Sequence, residues 1–127
     1  MALFLSTRRE GDRQVVEVRG RLGDVTASRQ LHDCLDTVFA ACPPPTRLVL
    51  DLSGVTSCNA ASLAAFIGAR NRALASGGEV RLVCPPGAVR RALETSRLAQ
   101  LLPTHPTVTH ALADRDHHEA QLADGLP

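Results

Sequence analysis

The chain lacks lysine, tryptophan and tyrosine, and it contains only three phenylalanines. Its hydrophobic core must therefore be mainly aliphatic, which a chain of 127 residues with 44% hydrophobic composition is long enough to bury. Every one of its 14 basic residues is an arginine, and 13 acidic residues leave a formal net charge of +1. This balance gives no overall field that would attract nucleic acid or an anionic membrane. We therefore expect a soluble domain with no nucleic-acid partner.

Long hydrophobic runs are also missing. No apolar stretch reaches the length of a membrane span, and the apolar N-terminal segment is too short for a signal peptide. We expect a cytoplasmic protein with no direct membrane insertion, whose thiols are reduced. No Cys-x-x-Cys pair, Gly-x-Gly-x-x-Gly motif or Walker loop is present, so we expect no metal and no cofactor. The four cysteines are Cys34, Cys42, Cys58 and Cys84.

The stretch from Arg47 to Leu74 contains the signals around which the chain is organised. Residues 47–52 form a short apolar run stopped by a Ser-Gly pair, which predicts a buried strand. Residues 63–74 predict an amphipathic helix, because five larger side chains recur there at helical spacing: Leu63, Phe66, Ile67, Arg70 and Leu74. The turn between them ends in Asn59, a residue type that caps helix starts. We expect this turn to present a small chemical group to a partner, because the helix N-terminus has free N–H groups.

Strands and helices alternate on both sides of this stretch. An N-terminal hairpin is predicted over residues 3–7 and 14–20, and a helix capped by Asp24 or Thr26 follows and stops before three prolines. Downstream, the pattern predicts a strand over 79–84, a helix after Pro85-Pro86-Gly87, an extended piece over 103–106 and a short helix over 107–113. Such alternation predicts parallel strands in one sheet with helices packed on it. Residues 114–127 predict a polar, flexible tail.

The order of these motifs resembles the STAS domain, the domain of anti-sigma factor antagonists. Three stretches carry the resemblance, Val49–Val55, Ser76–Val83 and Pro86–Glu94. The Gly20-Arg21-Leu22-Gly23-Asp24 segment is also similar to the family's Gly-x-Leu-Asp, with one residue added. The resemblance implies an α/β fold: one STAS domain over residues 1–113, with a mixed sheet of about four to five strands, an N-terminal hairpin and about four flanking helices.

The resemblance also implies a function and a switch. Proteins of this family bind an anti-sigma factor of the GHKL serine-kinase type and thereby free a sigma factor. The kinase reverses this by phosphorylating a serine at the start of the helix after the third strand, in an Asp-Ser-Ser-Gly-Leu pattern. This chain has Asn59-Ala60-Ala61-Ser62-Leu63, so Ala60 stands where the phosphorylated serine is usual. Alanine cannot accept a phosphate, and we therefore expect a non-enzymatic binder that is not switched at the usual site.

The residues expected to contact the partner lie in this turn and in the loop at the same end of the sheet. They are Asp24, Ser57, Cys58, Asn59, Ala60, Ala61 and Ser62. Ser57 and Ser62 are weak substitutes for the missing phosphorylation site. For Asp24 and Asp51 we expect local hydrogen bonds.

Cys58 is the main candidate for an enzymatic role, because a cysteine between a strand and a helix N-terminus can have a lowered pKa. A phosphatase would need Cys-x5-Arg, and the residue six positions after Cys58 is Ala64. A Cys–His pair would need a histidine such as His105, which nothing in the sequence places nearby. We therefore expect no catalytic residues.

A second interpretation keeps the STAS domain but changes its assembly. The chain could be a STAS subunit of a membrane transport ATPase or of a larger signalling assembly. Such a subunit needs no phosphorylation switch, so Ala60 is compatible with it.

Overall fold

The structure, a computed structural model, describes residues 3–113. The predicted tail over residues 114–127 lies outside the described residues. The described chain forms five strands, four α-helices and one turn of 3-10 helix. In chain order they are β1 (Phe4–Glu10), β2 (Arg13–Leu22), α1 (Val25–Ala41), β3 (Arg47–Cys58), α2 (Ala60–Ala75), β4 (Glu79–Val83), α3 (Ala88–Thr95), the 3-10 turn (Leu98–Gln100), β5 (Thr104–His105) and α4 (Val108–Ala113).

The five strands form one mixed sheet in the order β1-β2-β3-β4-β5. The hairpin strands β1 and β2 are antiparallel, and every later neighbour is parallel. Parallel neighbours arise because a helix crosses over between successive strands, as the alternating sequence pattern predicts. The predicted α/β fold with an N-terminal hairpin is therefore confirmed.

The two faces of the sheet are covered unequally, because side chains alternate along each strand. One face carries the main core, where α1, α2 and α3 pack through aliphatic side chains such as Leu31, Phe66 and Leu93. The other face carries a small cluster in which Ala111 of α4 packs on Val83 and its strand neighbours. Arg81 also lies on this second face, fully buried, and its Nη1 donates to the backbone carbonyl of Ala111 at 2.7 Å.

The prediction that β3 stops at Ser53-Gly54 is wrong, because the strand continues to Cys58. It keeps pairing with β2 past Gly54, with one shift of register just before this glycine and a second one after Val55. Gly54 allows this close approach, since a Cβ built at that position would lie 2.7 Å from Cγ of Arg19. The glycine therefore marks an irregularity within a paired strand rather than the end of the strand.

The buried face of α2 also differs from the prediction. Phe66 is fully buried, but Leu74 is 49% exposed, and Leu63 and Ile67 are only half-buried. The residues that α2 buries are mostly small: Ser62, Ala65, Phe66, Ala69 and Ala73. Small side chains let the helix approach the sheet closely, so its packed face is not the one with the largest side chains.

Candidate functional site

The candidate site is built around the backbone carbonyl of Leu22, the last residue of β2. This oxygen accepts a hydrogen bond from the backbone N–H of Asn59 at 3.1 Å. It also accepts one from the hydroxyl of Ser62 at 2.8 Å. The carboxyl ends of β2 and β3 are parallel neighbours, so both following loops leave the same edge of the sheet. These hydrogen bonds therefore bring the loop before α1 and the start of α2 together in one place.

Two side chains cap the helices at this edge. The Oδ1 of Asn59 accepts from the backbone N–H of Ser62 at 3.0 Å, which confirms the predicted cap of α2. The Oδ1 of Asp24 accepts from the backbone N–H of Ala27 at 2.7 Å and caps α1 in the same way. Both polar side chains are thus engaged locally, as expected for Asp24, and each fixes the direction of its helix.

The surface between and around these caps is small and apolar. Ala60 and Ala61 are exposed at the first two positions of α2. Val25 is 73% exposed at the first position of α1. Sequence reasoning missed Val25. The available signal was an apolar residue at the first helical position, directly after the cap. An exposed valine and two exposed alanines at the helix starts of one sheet edge form a surface that a protein partner can cover.

The two serines proposed as substitute sites differ in accessibility. Ser62 is fully buried, and its hydroxyl lies 2.8 Å from the carbonyl oxygen of Leu22 and 2.9 Å from Oδ1 of Asn59. Ser62 therefore supports the site from inside and does not belong to the surface, because a partner or kinase has no access to it in this conformation. Ser57 is half-buried, and its Oγ lies beside Gly23, 3.6 Å from where a Cβ would stand.

Asp51 makes the local contacts expected of it. It is 5% exposed, and its Oδ1 accepts from the backbone N–H of Ser53 at 3.1 Å and from its hydroxyl at 2.6 Å. The carboxylate is therefore satisfied by the two residues that follow it, and it lies within β3 rather than at its end.

Cys58 does not have the electrostatics of a nucleophile. Burial raises the pKa of its thiol above the ordinary value, because desolvation disfavours the thiolate. The neighbouring Cys84 is 1% exposed, and burial raises the pKa of its thiol to about 11. Both cysteines belong to the main core, Cys58 at its margin. Within residues 3–113, no group of His, Cys, Asp or Glu side chains could hold a metal ion.

Comparison with known proteins gives the family. The family model described as "Mlab, STAS domain" matches residues 5–103. The chain belongs to the STAS domain family. Among similar proteins, the anti-sigma-F factor antagonist RsfA of Mycobacterium tuberculosis is 28% identical over 99 residues, which are 78% of this chain and 77% of that protein.

Solved structures agree with this assignment. A crystal structure of an anti-sigma factor antagonist from Mycobacterium paratuberculosis has a TM-score of 0.78 and 25% identity, over 87% of this chain and 92% of that chain. An anti-sigma-factor antagonist (STAS) domain protein from Planctomyces limnophilus has a TM-score of 0.74 and 17% identity, over 85% of this chain and 94% of that chain. The latter likeness shows that the fold is shared. No helix within residues 3–113 of this STAS domain is long and apolar enough to cross a membrane.

Proposed function

We propose that this STAS domain is a non-enzymatic anti-sigma factor antagonist. Its partner is an anti-sigma factor of the GHKL serine-kinase type, and binding releases a sigma factor for transcription. The observation that carries the proposal is the exposed pair Ala60 and Ala61 at the capped start of α2, on a domain whose relatives include named antagonists.

The proposed binding surface is the edge of the sheet described above. It comprises the exposed and half-buried positions around the start of α2 and the loop before α1, with Ser62 holding the two segments together from inside. Its residues are Asp24, Val25, Ser57, Cys58, Asn59, Ala60 and Ala61. Covering the apolar residues of this surface removes them from water and favours binding. Asp24 and Asn59 cap α1 and α2 and so fix the positions of the two helix starts.

Regulation at this surface differs from that of a phosphorylated relative. A phosphate at the first position of α2 would be tolerated within the domain, because free N–H groups and the helix dipole favour negative charge there. At a contact with a partner, the same charge would add desolvation cost and repulsion. Because Ala60 offers no hydroxyl, the domain keeps the binding-competent surface permanently unless Ser57 is used instead.

A second candidate function is a STAS subunit of a transport ATPase or of a larger signalling assembly. Ala60 also supports this candidate, because a structural subunit needs no hydroxyl at the start of α2. The two candidates differ in the partner and in how strongly a charge at position 60 affects binding.

The test compares wild-type protein with Ala60→Asp and Ala64→Asp as baits in native-host extract, with captured proteins identified by mass spectrometry. Ala64 is also exposed on α2, one turn further along, so Ala64→Asp is the matched control for added charge. Asp at the first helical position is compatible with folding, because it complements the helix dipole. Circular dichroism of the three proteins checks that all are folded.

We expect wild type and Ala64→Asp to capture a kinase-type anti-sigma factor and Ala60→Asp to capture much less of it. Capture of transporter or assembly components that is insensitive to Ala60→Asp would favour the second candidate. Phosphate found on Ser57 in protein recovered from cells would contradict the permanently active version.

A further inference from the structure

A groove lies beside the start of α3, outside the surface described above. Its volume is about 340 Å³, and it is lined by Pro86, Gly87, Arg90, Arg91 and Glu94. Pro86 and Gly87 form the loop before the helix, and the three charged residues occupy the helix itself.

The charges in the groove do not cancel. Arg90 pairs with Glu94, with Nε and Oε1 3.5 Å apart. The side chain of Arg91 is exposed and makes no ion pair or hydrogen bond within residues 3–113. Most other arginines in that range are engaged, for example Arg13 with Glu79 and Arg72 with Asp36. The groove therefore keeps one uncompensated guanidinium.

The groove lies at the same edge of the sheet as the candidate binding surface, because β3 and β4 are parallel neighbours and the loop that forms the groove follows β4. Cys84 precedes the loop that forms the groove, and Cys58 ends β3 next to Asn59. Both cysteines pack in the same core cluster as Val89 of α3. A partner covering Ala60 can therefore extend onto α3.

The helix starts at this edge add to the positive potential. Helices often carry Asp or Glu in the first turn, where these residues offset the positive end of the dipole. None of α1, α2 and α3 has an acidic residue in its first turn. The positive ends of α2 and α3 therefore have no acidic side chain in their first turns to offset them, whereas the Asp24 carboxylate caps α1.

We propose that the groove on α3 is an additional docking site for an acidic segment of the protein partner, in which a carboxylate pairs with Arg91. The inference rests on the proposed function in one respect: the protein that docks in the groove is the same partner that covers Ala60. Bidentate pairing with carboxylates is the interaction that guanidinium geometry favours. The groove disfavours a nucleic acid, because Glu94 would face the phosphates and no aromatic side chain lines it for base stacking.

The experiment is an NMR titration of the isotope-labelled full chain with a short oligoglutamate peptide, with oligoglutamine of equal length as the control ligand. Arg91→Glu tests the groove. Arg29→Glu is the matched control, because Arg29 is also exposed, helical and without an ion pair or hydrogen bond of its side chain within residues 3–113. Single-stranded DNA is titrated in parallel, and each titration is run at low and high ionic strength.

We expect oligoglutamate to shift the amide signals of Gly87, Ala88 and Arg91 at low salt, and oligoglutamine to leave them unchanged. Arg91→Glu should weaken this binding by roughly tenfold, because it replaces an attraction by a repulsion, whereas Arg29→Glu should change it far less. Shifts confined to other arginines, equal effects of the two variants, or tighter binding of DNA in the groove would each overturn the proposal. None of these results depends on whether an anti-sigma factor is captured by the domain.

Discussion

The hydroxyl of Ser62 on α2 donates a hydrogen bond of 2.8 Å to the backbone carbonyl of Leu22 at the end of β2. The two residues are far apart in the chain, and neither side chain is accessible to solvent. This bond fixes where the start of α2 lies relative to the loop before α1. The exposed surface at Ala60 therefore has a buried polar support.

The first prediction concerns this support. Ser62→Ala removes the hydroxyl but leaves the N–H of Asn59 on the carbonyl of Leu22, so we expect a loss of about 1 kcal/mol in the free energy of unfolding. Urea denaturation measures it. Ser57→Ala is the control, because the half-buried Ser57 hydroxyl makes no hydrogen bond within the described residues. This variant should change the free energy of unfolding by no more than about 0.5 kcal/mol. Equal stability of Ser62→Ala and wild type would show that the buried bond contributes nothing net.

The second prediction concerns the charges buried on the second face of the sheet. Glu79 pairs with Arg81 at 2.5 Å and with Arg13 at 3.1 Å, and Arg81 is fully buried. Glu79→Gln keeps the shape of the side chain but removes the negative charge that faces both Arg13 and Arg81 in a largely buried setting, which should cost about 3 kcal/mol in unfolding free energy.

The matched control for that prediction is Glu94→Gln, which breaks the exposed pair of Glu94 with Arg90. We expect a change of no more than about 0.5 kcal/mol, because water screens both charges. Chemical denaturation of the two variants compares them directly. Similar losses in both would contradict the idea that burial makes the Glu79 interactions important.

The third prediction concerns alkaline pH. The pKa of the Cys84 thiol is raised from 9.0 in its ordinary state to about 11 in the folded protein. Below about pH 9, the thiol is protonated in both states and stability does not depend on it. Between about pH 9 and 11, the unfolded chain releases the proton more readily, so the folded state loses stability as the pH rises, by on the order of 2 kcal/mol.

The composition makes this test unusually clean, because the chain has no lysine and no tyrosine to titrate in the same range. The urea midpoint of wild type should fall as the pH rises above 9, and Cys84→Val should show a much smaller fall. The half-buried Cys34, whose thiol pKa burial also raises, provides the comparison variant Cys34→Val. A pH profile that is the same with and without the Cys84 thiol would refute the assignment.

Much of the fold was predictable from local patterns. The hairpin, the alternation of strands and helices, and the caps at Asp24 and Asn59 follow from side-chain chemistry that acts within a few residues. The end of β3 was not predictable, because pairing with β2 continues past Gly54 and only the partner strand supplies the hydrogen bonds. The packed face of α2 was missed for a related reason, since closeness to the sheet selects alanines there over leucines.

The sequence by itself determined the identity of the residue at position 60 and therefore the absence of a hydroxyl at the start of α2. It also determined an aliphatic core, because the chain has only three phenylalanines and no tryptophan or tyrosine. Only the tertiary structure decided that Ser62 is interior, that Val25 is exposed at the same edge of the sheet as Ala60, and that the groove on α3 lies at this edge too. Those relationships join segments distant in the chain, and they depend on strand pairing and close packing that no local pattern records.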